Sequence, residues 1–165
     1  MGIGQELLTS AIGTFKSAKR LGDRTIERLS DEELNRTPAS ESNSIAIIVK
    51  HLHGNMISRW TDFLTTDGEK PTRQRDAEFE GEPLTKEELL RLWESGWDTL
   101  FRALEQLEES DLLRTVRIRD EAHTVIKAIQ RQVSHYGYHV GQIVYIGKLI
   151  RNGQWDSLSI PKKKP

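Results

Sequence analysis

His135 and His139 stand four residues apart in the segment Ser134–Ile143. On a helix, that spacing places two imidazoles about one turn apart on the same face, where both can point at one ion. The chemistry in prospect is divalent-metal binding. A catalytic-type site of that kind takes three protein ligands and keeps positions open for water or substrate. The pair alone does not establish it, because the same spacing also suits core histidines packed beside Tyr136 and Tyr138. A third ligand has two candidates, His51 and His53, on an earlier helical segment. Residues two apart point about 200° from each other around a helix, so only one of them can face a shared ion. His51 shares its side with Ile48 and Asn55, and His53 shares its side with Val49, Ile57 and Trp60. The apolar band is wide there, and periodicity does not choose between them. His123 falls in a hairpin region and reads as a surface residue near the mouth of such a site.

Four amphipathic helices must position these groups. The first runs from about Gln5 to Leu29, with Leu8, Ala11, Phe15, Ile26 and Leu29 on one side. Ser30-x-x-Glu33 is a capping box that opens a short helical turn, ended at Thr37-Pro38. The second helix begins near Asn43 or Ser44 and continues through Trp60 and Phe63 to Thr66, where Asp67-Gly68 stops it. Glu69 to Glu82 is polar and aperiodic, a long surface loop of the kind that is either mobile or close to a site. Its Arg73, Arg75 and Asp76 read as solvated side chains before they read as an anion-selecting group.

Thr85-x-x-Glu88 caps the third helix, whose stripe is Leu89, Leu92, Trp93, Gly96, Leu100, Leu104 and Leu107. Thr115 to Arg119 alternates with a β period and Asp120 to Thr124 turns back, which predicts a small hairpin. The fourth helix carries the histidine pair on a stripe of Val125, Ile129, Val133, Tyr136, Val140 and Ile143, and ends at Arg151-Asn152-Gly153. Gly137 and Gly141 cost about 1 kcal/mol each relative to alanine in mid-helix, and read as points of close helix approach. Trp60, Trp93 and Trp97 are core candidates, and Trp155, Leu158 and Ile160 are expected to pack back on the bundle. The fold expected is all-α: an up-and-down four-helix bundle, residues 1–165 forming one domain, with a small hairpin before the last helix.

Composition excludes several function classes. Lysine plus arginine (24) nearly cancels aspartate plus glutamate (25), which leaves no electrostatic footprint for nucleic acid or an anionic membrane. The Lys162-Lys163-Lys164 segment reads as a solvated end. The chain has no cysteine, so it supplies neither a disulfide nor a thiolate nucleophile of its own. Met1 to Glu6 lacks a secretory signal pattern, and no apolar run approaches a bilayer span of about 18 residues. The expectation is a cytoplasmic protein. A homodimer is the default assembly, since closed two-fold dimers are the commonest oligomers.

Taken together, His51-Leu52 followed by Gly54-Asn55, and His135-x-x-x-His139-x-Gly141-Gln142-Ile143, resemble the DinB/YfiT-like superfamily of four-helix metalloproteins. Arg59 to Leu64, the Asp67 to Pro71 loop and the Trp155 to Pro161 tail are similar to one DinB-like branch, so the likeness covers nearly the whole chain. It implies a divalent metal, zinc or nickel being typical, held by three histidines that fall on His51, His135 and His139; His53 has no counterpart. Members with known activity are thiol S-transferases using bacillithiol or mycothiol, or thiol-dependent isomerases. Their shared logic is a metal that lowers the pKa of a bound water or cofactor thiol. Here any thiol must arrive as a low-molecular-weight cofactor. Asn55, one turn beyond His51, and Gln142, three residues after His139, are candidates to touch substrate or orient a ligand. The alternative for both is a helix–helix hydrogen bond. Two functional expectations follow: a metal-dependent enzyme, thiol S-transferase-like or hydrolytic, or a non-catalytic metal- or ligand-binding bundle. Open coordination positions under a polar cleft favour the first, and a sealed site favours the second.

Overall fold

The computed structural model describes residues 2–161, and the Lys162-Lys163-Lys164 segment lies outside the described residues. Five α-helices lie among the described residues: α1 (Ile3–Glu27), α2 (Asp31–Asn35), α3 (Ile45–Trp60), α4 (Lys86–Glu105) and α5 (Val125–Arg151). An antiparallel hairpin, β1 (Thr115–Ile118) and β2 (Glu121–Thr124), directly precedes α5. The helices start where a side chain can accept the first free amide protons. Ser44 Oγ accepts from the Ile47 amide at the head of α3, and Thr124, the last hairpin residue, accepts from Lys127 at the head of α5. Complete capping boxes at Ser30–Glu33 and Thr85–Glu88 open α2 and α4.

The four long helices form the expected up-and-down bundle. α3 lies along α4 and α1 along α5, while α3–α5 and α1–α4 contacts close the set. Leu8, Phe15, Ile26, Leu52, Met56, Leu100, Ile129 and Ile143 fill the interior. Trp60, Trp93 and Trp97 are all buried as expected, and Trp97 meets Trp93 at 5.4 Å and Tyr136 at 5.9 Å between ring centroids. No helix among the described residues is long and apolar enough to cross a membrane.

Three expectations change. α3 ends at Trp60 rather than Thr66, because Thr61 turns extended and Asp62 takes a left-handed φ of 48°. The Thr65 and Thr66 amides then return to the Asp62 carbonyl, and Phe63 reaches the Trp60 ring from a turn rather than a helix. A Cβ at Gly137 or Gly141 would meet nothing within 4 Å, so neither glycine permits close packing here. Close approach occurs instead at Gly22, where a Cβ would strike Trp93, and at Gly147, where it would strike Thr25. In the tail, Trp155 stacks beneath Arg28 and the Leu158 carbonyl accepts from Arg24, but Ile160 stays 91% exposed.

The hairpin turn is held from outside. Arg119 and Asp120 both have positive φ, 54° and 63°, the two-residue turn that suits the twist of antiparallel strands. Asp67 accepts from both of their amides, at 2.9 and 2.8 Å. Burial opposes ionisation of Asp67, yet these donors and the Glu69 amide hold its carboxyl below the usual range. Gly68 N–H donates to the Arg117 carbonyl at 2.9 Å and completes the clamp between loop and hairpin.

Candidate metal centre

α3 and α5 face each other with His51 on one and His135 and His139 on the other. His51 is 6% exposed, while His135 and His139 are half-buried. One ring nitrogen from each lies within 4.8 Å of the others, and His51 Nε2 is 3.3 Å from His135 Nε2. Two nitrogens bound tetrahedrally at zinc–nitrogen distances of about 2.0–2.1 Å sit roughly 3.3 Å apart, so the observed spacing fits one shared ion. No fourth metal-ligating side chain joins the group among the described residues.

The outward nitrogen of every ring is tied to an acceptor. His51 Nδ1–H donates to Glu78 Oε2 at 2.9 Å, His135 Nδ1–H to Gln132 Oε1 at 3.2 Å, and His139 Nδ1–H to Gln142 Oε1 at 2.8 Å. An imidazole that spends its proton on Nδ1 presents a lone pair at Nε2. With these tautomers three lone pairs turn toward one another, an arrangement that could hold a cation between them. Burial first, and then the nearby His139 and His51, push His135 down to about 3. Burial also lowers His139, although its bond to Gln142 opposes the shift. Both rings are therefore neutral at pH 7, the form that binds a metal.

The long loop runs over the surface as expected, with Arg75 and Asp76 exposed, and it closes on the site through Arg73 and Glu78. A 3₁₀ turn at Asp76–Phe79 carries Glu78 beneath His51 and sets the Phe79 ring 5.1 Å from the imidazole. Arg73, expected in solvent, has a buried side chain that grips Glu78 with two bonds, Nε–H to Oε1 at 2.7 Å and Nη2–H to Oε2 at 2.8 Å. Burial resists ionisation of Glu78, but the bonds from His51 and Arg73 outweigh it and hold the carboxyl below its usual range. Glu69 accepts from Arg73 Nη1 at 3.1 Å. Gly54 makes the approach feasible, because a Cβ there would stand 2.1 Å from Glu78 Oε1.

The remaining candidates separate clearly. His53 turns away from the cluster and lines another cavity with Lys50, Ile57 and Leu92. His123, on β2, has Glu121 3.8 Å from its Nε2 and lies outside the cluster. Asn55 Oδ1 accepts from the Tyr136 hydroxyl at 2.9 Å, and that hydroxyl accepts from Trp60 Nε1–H at 3.0 Å. It thus makes a helix–helix bond while also lining a cavity of about 380 Å³ above the three histidines. Glu78, Glu69 and Gln132 were not anticipated, and Arg73 reads from the sequence only as a solvated or anion-selecting side chain. Gln132 was legible, since it stands three residues before His135 as Gln142 stands three after His139. The other three sit in an aperiodic loop, where only the lone aromatic Phe79 hinted at burial.

No curated protein matches the chain. Residues 2–164 match the family described as "Protein of unknown function (DUF1572)". With that match spanning nearly its whole length, the chain belongs to this family.

Proposed function

We propose that the protein is a divalent-metal-dependent enzyme of the DinB/YfiT-like type, with His51, His135 and His139 as the protein ligands. One observation carries the reading: each Nδ1–H is committed to its own acceptor, which leaves three Nε2 lone pairs converging beneath a cavity. Three imidazoles suit zinc or nickel. Three protein ligands below an open cavity also suit a catalytic site, since structural sites are closed by a fourth. A divalent ion held there supplies Lewis acidity, which makes a water or thiol acidic enough to act as a nucleophile near neutral pH.

The chain's own groups divide the remaining work. Glu78, Gln132 and Gln142 are positioning residues that fix the tautomer and orientation of the three rings. Arg73 keeps Glu78 ionised and in place, and Phe79 covers one face of His51. The reaction class is nucleophilic transfer or hydrolysis. A thiol S-transferase-like reaction would draw its thiol from a low-molecular-weight cofactor, because the chain has no cysteine.

The test is elemental analysis of untagged protein beside His51→Ala, His53→Ala, His135→Ala and His139→Ala. Near-stoichiometric zinc or nickel, lost in the three cluster variants and kept in His53→Ala, is the expected result. Wild-type protein that contains no metal and takes none up would overturn the proposal. Full metal content without thiol-transfer or hydrolytic activity would leave a binding bundle in place of an enzyme.

A further inference from the structure

The cavity above the histidines is walled by cations. Arg59, Arg73, Arg75, Arg119 and Arg131 line it, and no carboxylate does among the described residues, in a chain whose net charge is −1. Two of these are matched inside the fold: Arg73 by Glu78 and Glu69, and Arg119 by the same Glu69 at 3.3 Å. Among the described residues Arg75 pairs with no carboxylate but the exposed Asp76, at 3.5 Å, and lies over the Phe79 ring. Arg131, exposed on α5 one turn before His135, forms no hydrogen bond or ion pair among the described residues.

Arg59 is the unusual member. It is 2% exposed, its Nε–H donates to the Gly68 carbonyl at 3.1 Å, and Nη2 stands 3.7 Å from Glu69. Its Nη1 is buried without a hydrogen-bond partner among the described residues. Burial pushes its pKa down, and the like charges of Arg131 and Arg73 add to the effect. A buried guanidinium with one nitrogen unmet, in a cavity wall shared with the unpaired Arg131, is a poor resting state, because a buried donor left unmet carries its full desolvation cost. An oxyanion in the cavity would pair Arg131 and offset the charge of the Arg59 guanidinium, and arginine is the side chain whose fork suits carboxylate and phosphate.

We infer that the substrate carries an oxyanion, a carboxylate or a phosphate on a small molecule, held in this cavity by Arg131 with the Arg59 guanidinium in its wall. The cavity, about 380 Å³, has room for a small organic molecule that spans from the arginines to the histidines. The inference deepens the metal-dependent reading and rests on it only for which end of the substrate reacts. Anion capture itself needs the arginines alone.

The experiment therefore uses full-length protein stripped of metal with a chelator. Inorganic phosphate and acetate are titrated at low ionic strength with chloride as the screening control, followed by calorimetry and by the arginine Nε–Hε resonances in NMR. Saturable binding of phosphate, acetate or both is expected, and the preferred probe identifies the anion. Arg131→Ala, at an exposed position that leaves the fold intact, should weaken binding about tenfold, the worth of one charge-assisted bond. Arg59→Met should abolish it, and Arg91→Ala on the exposed face of α4 should not change it. No saturable binding, or an Arg131→Ala protein that binds as wild type does, overturns the inference. Anion binding by a protein that takes up no divalent ion would sink the metal reading alone. Tight metal uptake with no anion response would sink this one alone.

Discussion

Glu78→Gln separates a residue that tunes the metal ligands from one that merely anchors a loop. The Glu78 carboxylate accepts three bonds in a site where it is 9% exposed: His51 Nδ1–H at 2.9 Å, Arg73 Nε–H at 2.7 Å and Arg73 Nη2–H at 2.8 Å. Glutamine keeps the shape but offers one acceptor oxygen and turns an amide donor toward whichever partner it fails to satisfy. Losing the carboxylate behind a metal-ligating histidine lowers metal affinity about 10- to 100-fold, or about 1.4–2.8 kcal/mol. Fold stability should fall too. Stripping a buried charge of its partner costs about 3–5 kcal/mol. Glu69 still accepts from Arg73 at 3.1 Å, so roughly 1–3 kcal/mol is expected from the metal-free protein, within a typical total of about 5–15. Competition with a chromophoric chelator reads the first quantity, and denaturant unfolding of metal-free protein reads the second. If zinc affinity stays within twofold of wild type while stability drops, Glu78 is only a loop anchor and the argument from the His51 tautomer fails.

Other perturbations test neighbouring links. Gly54→Ala puts a methyl group 2.1 Å from Glu78 Oε1, so it should reproduce the affinity loss of Glu78→Gln, about tenfold in the same chelator assay; unchanged affinity would show that the loop can yield. In metal-free protein, His135 falls from 6.5 to about 3, chiefly through burial. The unfolded chain takes up that proton near pH 6.5 and the native state only near 3, so stability is full above about 6.5 and declines as pH falls across that window. Denaturant midpoints should drop across that range, and His135→Gln should flatten the decline; an equal slope would refute the assignment. Gly137→Ala and Gly141→Ala should each raise stability by about 0.5–1 kcal/mol in thermal melts, because a Cβ at either position meets nothing within 4 Å. A loss at either would mean that the exposed face of α5 is covered in solution.

What was legible in the sequence follows from periodicity. A helix repeats every 3.6 residues, so the capping boxes at Ser30 and Thr85, the apolar stripes and the placement of His135 and His139 on one face could all be read from spacing. The same arithmetic could have paired Gln132 with His135. It could not choose His51 over His53, because both lie within a wide apolar band and the choice depends on how α3 rolls against α4 and α5. Nor could it end α3 at Trp60, since Phe63 continues the apolar stripe although the chain has already turned at Asp62. Arg73 and Glu78 were illegible for a further reason. Their placement depends on contacts between segments far apart in sequence, and a polar loop has no period to betray them.

Those distant contacts form a chain that ends at the three clustered histidines. The hairpin turn at Arg119 and Asp120 needs left-handed backbone at two residues, and Asp67 holds it by accepting from both amides. The same clamp fixes the start of the loop, where Glu69 collects Arg73, Arg119 and the edge of Arg59. Arg73 fixes Glu78, and Glu78 sets the proton of His51. The bundle helices thus bring three imidazoles together, and Gln132 and Gln142 on α5 orient His135 and His139, while the loop decides which nitrogen His51 presents. Helix packing alone would leave His51 free to turn its other nitrogen inward. The aperiodic segment between α3 and α4 is therefore part of the site, and variants such as Glu78→Gln and Gly54→Ala should report on the metal before they report on the fold.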